Sequence, residues 1–184
     1  MSDKFNSYND MVDLSPLADL CLREGKPVCY ERGDYLLHHG DRGRYIALVL
    51  SGYCRYVMTR DDGTEAVVGL ALKGDLATGF SDAMRGRPSR ISIIASTRVD
   101  VLQLPLVYAM DTVAETNPGI RGQMFEALAG TLYERMLDLY GLSATQRYRK
   151  FASAYPDIVA QIQTQELASY LQITPQHLRR IKKS

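Results

Sequence analysis

Short runs of β-branched and aromatic residues alternate with turns rich in glycine and aspartate over the first half of the sequence. The turns lie at 32–34, 39–41, 51–52, 61–63 and 73–75. The runs between them have the length and composition of strands and cover 28–30, 35–37, 46–50, 53–59, 65–72, 91–95 and 99–104. Many short strands at even spacing predict a β-barrel or a jelly roll.

The pattern becomes helical after Pro105. Asn117 and Pro118 have the residue types of a helix start, and no further proline occurs before Gly141, so one long helix is expected. Its apolar residues recur at steps of three and four, and the seam consists of Phe125, Leu128, Leu132 and Leu139, with Arg135 interrupting it. We expect this helix to contact both its twin in a homodimer and its own β domain. Docking on the β domain alone is the alternative.

The last forty residues predict three helical segments, at 144–154, 164–171 and from 175 to about 183. Thr164 and Thr174 are suitable N-caps, and Pro175 suits a first helical turn. The last two segments flank a turn at 172–174, which is the arrangement of a helix-turn-helix. The residues expected to face inward are Leu167, Ala168, Leu171, Ile173, Leu178 and Ile181.

The outer face of this segment carries groups that hydrogen-bond base edges or neutralise phosphates. Residues 143–184 hold seven basic and two acidic side chains, a net charge of +5, whereas the rest of the chain carries −4. This asymmetry favours contact with a polyanion over a merely solvated basic helix. The candidate DNA-binding residues are Thr164, Thr174, Gln176, His177, Arg179, Arg180, Lys182 and Lys183.

Several classes of protein are disfavoured. The longest apolar run, 45–50, is far shorter than the roughly 20 residues of a membrane span. The first ten residues lack the apolar stretch of a secretory signal, so we expect a cytoplasmic protein. Cys21, Cys29 and Cys54 cannot all pair within one chain and have no metal-ligand spacing, so we expect reduced, buried thiols.

The sequence also contains no recognisable catalytic motif. A cupin metal site needs several converging histidines, but His38 and His39 are adjacent and would point to opposite faces of a strand. A four-cysteine iron–sulfur site is excluded by the three cysteines, whereas haem held by a single ligand leaves no spacing to detect. We therefore expect no catalytic residue, no metal and no resident cofactor, with a small-molecule effector left open.

Three segments give the chain its resemblance to a known family. They are YERGDYLLHHGD at 30–41, YIALVLSG at 45–52 and ASYLQITP at 168–175. With them the chain resembles the Crp/Fnr superfamily of bacterial transcription regulators over about residues 21–183, and in particular its short, Bacteroidetes-type subgroup.

The resemblance implies an α+β chain in three parts. A cyclic-nucleotide-binding-like double-stranded β-helix would occupy residues 1–114, a dimerisation helix 115–142, and a helix-turn-helix of the winged type 143–184. It also implies that Gln176 and Arg180 read bases, with Arg179 close by. The expected partners are double-stranded DNA and a second copy of the chain, and RNA polymerase is left open as a third.

The sequence departs from the family in two places. Gln172 stands where the family usually has glycine in the turn of the motif, so it is expected to adopt a left-handed conformation at a cost of roughly 1–2 kcal/mol. In the cassette after Gly74 and Asp75, Gly79 replaces the glutamate that binds ribose, and Ser89 replaces the arginine that pairs with the cyclic phosphate.

The candidate effector pocket comprises Gly74, Asp75, Gly79, Phe80, Ser89 and Arg90, with Arg90 able to reach the phosphate position by a one-residue shift. Without the glutamate the sugar would still be unread, so cyclic AMP is not the expected effector. The sequence therefore predicts a dimeric DNA-binding regulator that is not an enzyme. The alternative is a signalling adaptor whose β-roll binds a ligand and whose degenerate terminal module holds a protein partner.

Overall fold

The computed structural model describes residues 13–183. The chain start, to which the expectation about a secretory signal applies, lies outside them. The strands are β1 Lys26–Tyr30, β2 Tyr35–Leu37, β3 Tyr45–Ser51, β4 Cys54–Thr59, β5 Glu65–Ala71, β6 Leu76–Ala77, β7 Ser92–Ala95 and β8 Val99–Pro105. The helices are α1 Ser15–Glu24, α2 Phe80–Met84, α3 Leu106–Ala114, α4 Ile120–Gly141, α5 Ala144–Ala154, α6 Pro156–Gln161, α7 Thr164–Tyr170 and α8 Pro175–Ile181.

The strands form two four-stranded antiparallel sheets. Their orders are β1-β8-β3-β6 and β2-β7-β4-β5, so only β4 and β5 are both consecutive in sequence and neighbours in a sheet among the described strands. The two inner faces meet in a core that includes Val49 and Val101 from one sheet and Ile93 and Ala95 from the other. The expected jelly roll is confirmed, and each predicted strand lies within two residues of an observed one.

Strand β3 is apolar on both faces because each face has a different neighbour. Ala47 and Val49 point into the roll, whereas Ile46 and Leu48 pack against helices on the outside. Helices α1 and α3 supply that outer layer, with Leu17 and Met110 fully buried in it. The sequence analysis did not predict α1, α2, α3, α6 or β6, which are short or join directly to another element.

Helix α4 begins two residues later than the sequence predicted. The amide of Ile120 donates to the carbonyl of Asn117 at 3.1 Å, which makes the Asn-Pro segment a turn instead of a cap. Gly119 is the N-cap and offers no side chain to the helix. Burial of Ile120 and Met124 against the β-roll fixes the start of the helix instead.

The helix-turn-helix is formed by α7 and α8. Leu167, Ala168, Leu171, Leu178 and Ile181 are buried and Ile173 is half-buried, which confirms the predicted inner face. Gln172 has a φ of 54°, the only positive φ of a non-glycine residue among those described, so the expected left-handed turn is present.

The winged-helix type would add a β-hairpin to this module. Between Leu106 and Lys183, as far as the chain is described, the structure contains helices and turns and no strand. The helix-turn-helix therefore lacks a wing within these residues. No helix of the described part is long and apolar enough to cross a bilayer.

Candidate nucleic-acid interface and effector cavity

Helix α8 buries one side and presents a cationic side to solvent. The Thr174 hydroxyl caps it by accepting a hydrogen bond from the His177 amide at 3.1 Å, as the sequence predicted. Leu178 and Ile181 anchor the helix in the core of the module. The exposed residues are Gln176, Arg179, Arg180, Lys182 and Lys183, whereas His177 is half-buried. These five side chains, four of them cationic, are all open to solvent.

Thr164 is not the N-cap that its residue type predicted. The N-cap of α7 is Gln163, and no side chain caps this helix. Thr164 lies one position inside the helix and is half-buried. Threonine is a common N-cap residue, which is why the sequence predicted this role, but α7 begins one residue earlier than that prediction requires.

Two of the basic residues in the C-terminal segment bind other groups of the same chain. Arg147 donates from Nε to the carbonyl of Leu171 at 3.1 Å and from Nη1 to that of Leu142 at 2.7 Å, where it satisfies two helix ends. Lys150 pairs with Asp138 of α4 at 2.6 Å. The cationic surface open to a partner is therefore smaller than the sequence count suggested.

Helix α7 packs directly on strand β5 of the β-roll. The Val67 amide donates to the Ser169 hydroxyl at 3.0 Å, and Leu70 and Leu72 share a core cluster with Leu167. This contact is one that sequence reasoning missed, since nothing in local patterning couples a strand to a helix a hundred residues later. The helix-turn-helix is thereby held against the β-roll.

A polar cluster beside that contact centres on Glu166. Its carboxylate accepts from the Tyr53 hydroxyl at 2.9 Å and pairs with the Arg55 guanidinium at 3.4 Å. Burial raises the pKa of Tyr53 to about 12, and the negative charge of Glu166 acts in the same direction. The Gln163 amide donates to the Tyr53 oxygen at 3.2 Å, so the hydroxyl is both donor and acceptor.

The contacts of Arg135 explain why a charged residue interrupts the apolar seam of α4. Its guanidinium donates to the carbonyl of Val68 at 2.6 Å and to that of Tyr170 at 2.9 Å, and it lies 4.0 Å from the centre of the Tyr170 ring. One side chain of α4 thus connects the β-roll and the helix-turn-helix.

The apolar face of α4 divides into two parts. Phe125 packs on Phe80 of the β-roll, with ring centres 5.0 Å apart, and Leu128 is half-buried, so these two contribute little free surface. Farther along, the exposed large apolar side chains are Leu132, Tyr133, Met136, Leu137, Leu139 and Tyr140. The unpartnered surface therefore begins at about Leu132, about two turns after the predicted seam begins at Phe125.

The structure brings only some of the predicted effector residues together: a Cβ on Gly79 would lie 3.7 Å from Ser89 Oγ, whereas most of the others have contacts elsewhere. Gly74 and Asp75 form a turn in which the buried Asp75 carboxylate accepts from the Leu72 amide at 2.9 Å. Phe80 belongs to the core with α3 and α4. Ser89 is buried and donates to the carbonyl of Ile91 at 2.8 Å. Those four residues have structural roles.

Arg90 faces away from the β-roll. Its side chain is 79% exposed and pairs with Asp82 at 3.4 Å, and it is not among the residues that line the cavity. Gly79 is the one predicted residue that lines a cavity. A Cβ at this position would lie 2.6 Å from Leu37 Cδ2, so that leucine occupies the space a longer side chain would need.

That cavity has a volume of about 570 Å³ and opens at the segment 38–45. Its walls come from β2, β3, β6 and β7. The residues that line it include Tyr35, Leu37, His38, Asp41, Arg42, Arg44, Tyr45, Ala47, Ala77, Thr78, Ile93 and Gln103. The sequence analysis named none of these as effector contacts.

His38 and His39 lie just after β2 and not within a strand, and one of the three cysteines is not buried. His38 stacks on Tyr35 with ring centres 3.7 Å apart. Cys21 and Cys54 are buried thiols as predicted, but Cys29 is exposed. Within residues 13–183 no three histidine, cysteine or acidic side chains converge as metal ligands would.

Comparisons with known proteins agree with this architecture. The family model described as "Cyclic nucleotide-binding domain" matches residues 27–115. The solved structure of FixK2 from Bradyrhizobium japonicum superposes with a TM-score of 0.72 at 17% identity, covering 86% of this chain and 83% of that one. No curated protein sequence matches the chain significantly.

Two further solved structures extend the comparison. The c-di-GMP responsive global regulator CLP of Xanthomonas campestris gives a TM-score of 0.65 at 16% identity, covering 92% of this chain and 90% of that one. The catabolite activator protein of Thermus thermophilus gives 0.57 at 24% identity, covering 93% and 83%. Residues 27–115 therefore match the cyclic nucleotide-binding domain family, and the chain shares its overall fold with these three solved structures.

Proposed function

We propose that this chain is a homodimeric, sequence-specific DNA-binding transcription regulator of the Crp/Fnr type that works without catalysis, in the cytoplasm. The observation that carries the proposal is the split face of α8. Leu178 is fully buried while Arg179 and Arg180 are exposed, so the helix offers a rigid cationic surface to the major groove. RNA polymerase is a further partner if the regulator activates transcription.

The apolar end of α4 supports the dimer. Tyr140 is 88% exposed and Leu132 is 55% exposed, which is costly for large apolar side chains in water. A second copy of the helix presents the same residues, so two such faces are self-complementary about a two-fold axis.

A two-fold dimer makes a prediction about the DNA. Its two recognition helices would be about one helical turn, roughly 34 Å, apart along the duplex. The operator is therefore expected to be a near-palindrome with half-sites at that spacing.

Selection of bound fragments from sheared genomic DNA, followed by footprinting, tests the proposal. We expect enrichment of a near-palindromic site whose affinity falls steeply with salt, because phosphate contacts release counterions. Enrichment of no sequence over random DNA at any salt concentration would contradict it. A protein that is monomeric at micromolar concentration would contradict the dimer alone.

Cyclic AMP is not the proposed effector. Leu37 fills the space beside Gly79, and Arg90 is paired with Asp82 on the outside of the roll. No carboxylate therefore reaches the ribose from position 79, and the nearby guanidinium is directed elsewhere. Calorimetry with cyclic AMP and cyclic GMP should show no saturable heat, and micromolar binding would refute this part of the proposal.

A signalling adaptor is the second candidate function. Two observations favour it: the described chain lacks a wing, and Gln172 strains the turn of the motif. An adaptor would retain the β-roll ligand site and use the terminal module to hold a protein. Fragment selection separates the two functions, since an adaptor would enrich no DNA sequence.

A further inference from the structure

Two loops of the β-roll, at 40–44 and 85–90, concentrate positive charge on its outer surface. Residues 40–44 and 80–90 together carry five positive and two negative side chains, a net charge of +3. The other residues between 13 and 114 carry seven positive and eleven negative side chains, a net charge of −4. All five arginines of the two loops are exposed, and we call them the arginine face: Arg42, Arg44, Arg85, Arg87 and Arg90.

The backbone holds these two loops together. The Gly40 amide donates to the Ser89 carbonyl at 2.8 Å, and the Ser89 amide donates to the Asp41 carbonyl at 2.7 Å. The buried carboxylate of Asp82 accepts from the Arg90 amide at 3.1 Å. The arginines of both loops therefore extend from one ordered backbone, which lowers the entropy lost when a partner binds.

Three of the five guanidinium groups have no role inside the protein. The Arg85 guanidinium donates to the Ser81 hydroxyl at 3.2 Å. That of Arg90 pairs with Asp82 at 3.4 Å. In the described part of the chain, no side-chain hydrogen bond or ion pair is made by the other three, Arg42, Arg44 and Arg87. These three side chains are therefore open to contact with another molecule.

The arginine face and the helix-turn-helix contact α4 at different places. The Arg85 guanidinium lies 5.3 Å from the centre of the Phe125 ring, near the start of α4. The helix-turn-helix contacts the same helix at Arg135, whose guanidinium lies over the Tyr170 ring. Ten residues, or about 15 Å along the helix axis, separate the two points. DNA bound on α8 is therefore not expected to cover the arginine face, which is left for a different partner.

We propose that the arginine face is a docking surface for an acidic segment of another protein. The forks of its unpaired guanidinium groups match the carboxylates of aspartate and glutamate. Tyr45, which directly follows Arg44, is 50% exposed. Arginine and tyrosine are both enriched at protein interfaces, so this composition favours a protein partner over a second nucleic-acid site. The proposal does not rest on DNA binding by α8.

Fluorescence anisotropy with the full chain tests the proposal at about 150 mM salt, where charges more than about 8 Å apart are largely screened. The probe is a rhodamine-labelled decapeptide of alternating glutamate and alanine. A second peptide has glutamine in place of each glutamate. We expect saturable binding of the glutamate peptide and binding at least about tenfold weaker for the glutamine peptide, because it lacks charge-assisted hydrogen bonds.

The variant Arg42→Gln/Arg44→Gln/Arg87→Gln should lose about tenfold or more in affinity for the glutamate peptide, because each change removes a charged donor. Its Tm should equal that of the native protein, since the three side chains are exposed and make no internal contact in the described residues. The Tm measurement thus separates a loss of binding from a loss of folding.

The matched control removes the same charge from the helix proposed to bind DNA. Arg179→Gln/Lys182→Gln/Lys183→Gln also takes three positive charges from exposed positions. This variant should change affinity for the glutamate peptide by less than about threefold, because its charges are screened from the arginine face. Equal losses in the two variants would mean that the peptide responds only to net charge, and would overturn the proposal.

A DNA duplex of random sequence tests the nucleic-acid alternative. We expect the arginine-face variant to bind it within about threefold of the native protein, and the α8 variant to bind it more weakly because phosphate contacts are lost. Loss of duplex binding in the arginine-face variant would assign the face to nucleic acid and overturn the proposal. Full peptide binding by that variant, equal binding of the two peptides, or no saturable binding of either would overturn it as well.

The same measurements separate this proposal from the proposed function. If the protein selects no DNA but binds the glutamate peptide through the three arginines, the docking surface stands and the proposed function fails. If it selects DNA and the three substitutions leave peptide binding unchanged, the docking surface alone fails.

Discussion

The Tyr53 hydroxyl donates a hydrogen bond to the Glu166 carboxylate at 2.9 Å, across 113 residues of sequence. Tyr53 directly precedes strand β4 and is 2% exposed, whereas Glu166 lies in α7, the first helix of the helix-turn-helix. The bond thus connects the β-roll to the module proposed to bind DNA. The orientation of that module depends on a small set of buried polar contacts, which makes them suitable for mutation.

Replacing Glu166 with glutamine should destabilise the protein by about 1–3 kcal/mol. The glutamate side chain is 11% exposed and its partner Arg55 is 20% exposed, so the change leaves a half-buried guanidinium without its counter-charge. Urea unfolding measures the loss. Glu31→Gln is the control, because the Glu31 side chain is 69% exposed and lies as far as 3.9 Å from Arg98. This change should alter the free energy of unfolding by less than about 0.5 kcal/mol. Equal effects would show that the Glu166 cluster does not hold the module.

Charge placed on the exposed face of α4 should prevent dimerisation. Leu132→Glu/Met136→Glu puts two carboxylates where two apolar helices are proposed to meet, and sedimentation should show monomers. Glu134→Lys changes charge on the same helix, about half a turn from the middle of that face, and should leave the dimer intact. A dimer that survives the double change must use another surface.

The last helix should divide its work between reading bases and binding phosphates. Arg180→Ala should lower the ratio of operator to random DNA affinity, because its fork can pair with guanine, at about 1–3 kcal/mol of discrimination. Lys183→Ala should weaken both DNAs alike and reduce the salt slope by about one. Filter binding across a salt series measures both. The assignment is wrong if Lys183→Ala alone removes the preference.

Glycine at position 172 should stabilise the protein. The positive φ of Gln172 costs a non-glycine residue roughly 1–2 kcal/mol, and glycine would remove that strain. Glycine also raises the conformational entropy of the unfolded chain, which offsets part of the stabilisation. The hydrogen bond from Gln172 Nε2 to the Ser169 carbonyl, 3.0 Å long, is also lost, so a net gain of up to about 1 kcal/mol is expected by thermal unfolding. Gln165→Gly, inside α7, should instead cost about 0.5–1 kcal/mol.

Only one of the three thiols should react in the folded protein. Burial raises the pKa of Cys21 to about 11 and that of Cys54 to about 12. Cys29 is exposed, and its pKa is raised by desolvation and then by its hydrogen bond to Asp100. Because the thiolate is the reacting species, alkylation at pH 8 should be slower than for a free cysteine and accelerate as the pH rises toward and above 9.

The measurement is mass spectrometry after iodoacetamide treatment. Native protein should gain one adduct, Cys29→Ser should gain none, and denatured protein should gain three. Rapid labelling of Cys54 in native protein would mean that the interior of the roll opens.

Much of the architecture was determined by local sequence. Glycine and aspartate turns limit the strands to a few residues, and the apolar spacing of Leu167, Leu171 and Leu178 fixes which sides of two helices meet. The resemblance to the family predicted the left-handed turn at Gln172, because the family usually has glycine at that position of the motif. These features depend on neighbours within a few residues, which a sequence pattern records directly.

Tertiary structure decided the rest, because those contacts join segments with no shared pattern. The sequence does not show that Arg42 and Arg44 lie at a cavity, because that cavity is also lined by Ala47 and Ala77 from two paired strands. Thr164 and Arg90 had suitable chemistry, but a helix that begins one residue earlier and a competing carboxylate at Asp82 gave them other roles. Whether a side chain binds a ligand or stabilises the fold is set by what packs against it, and for this chain those neighbours come from distant parts of the sequence.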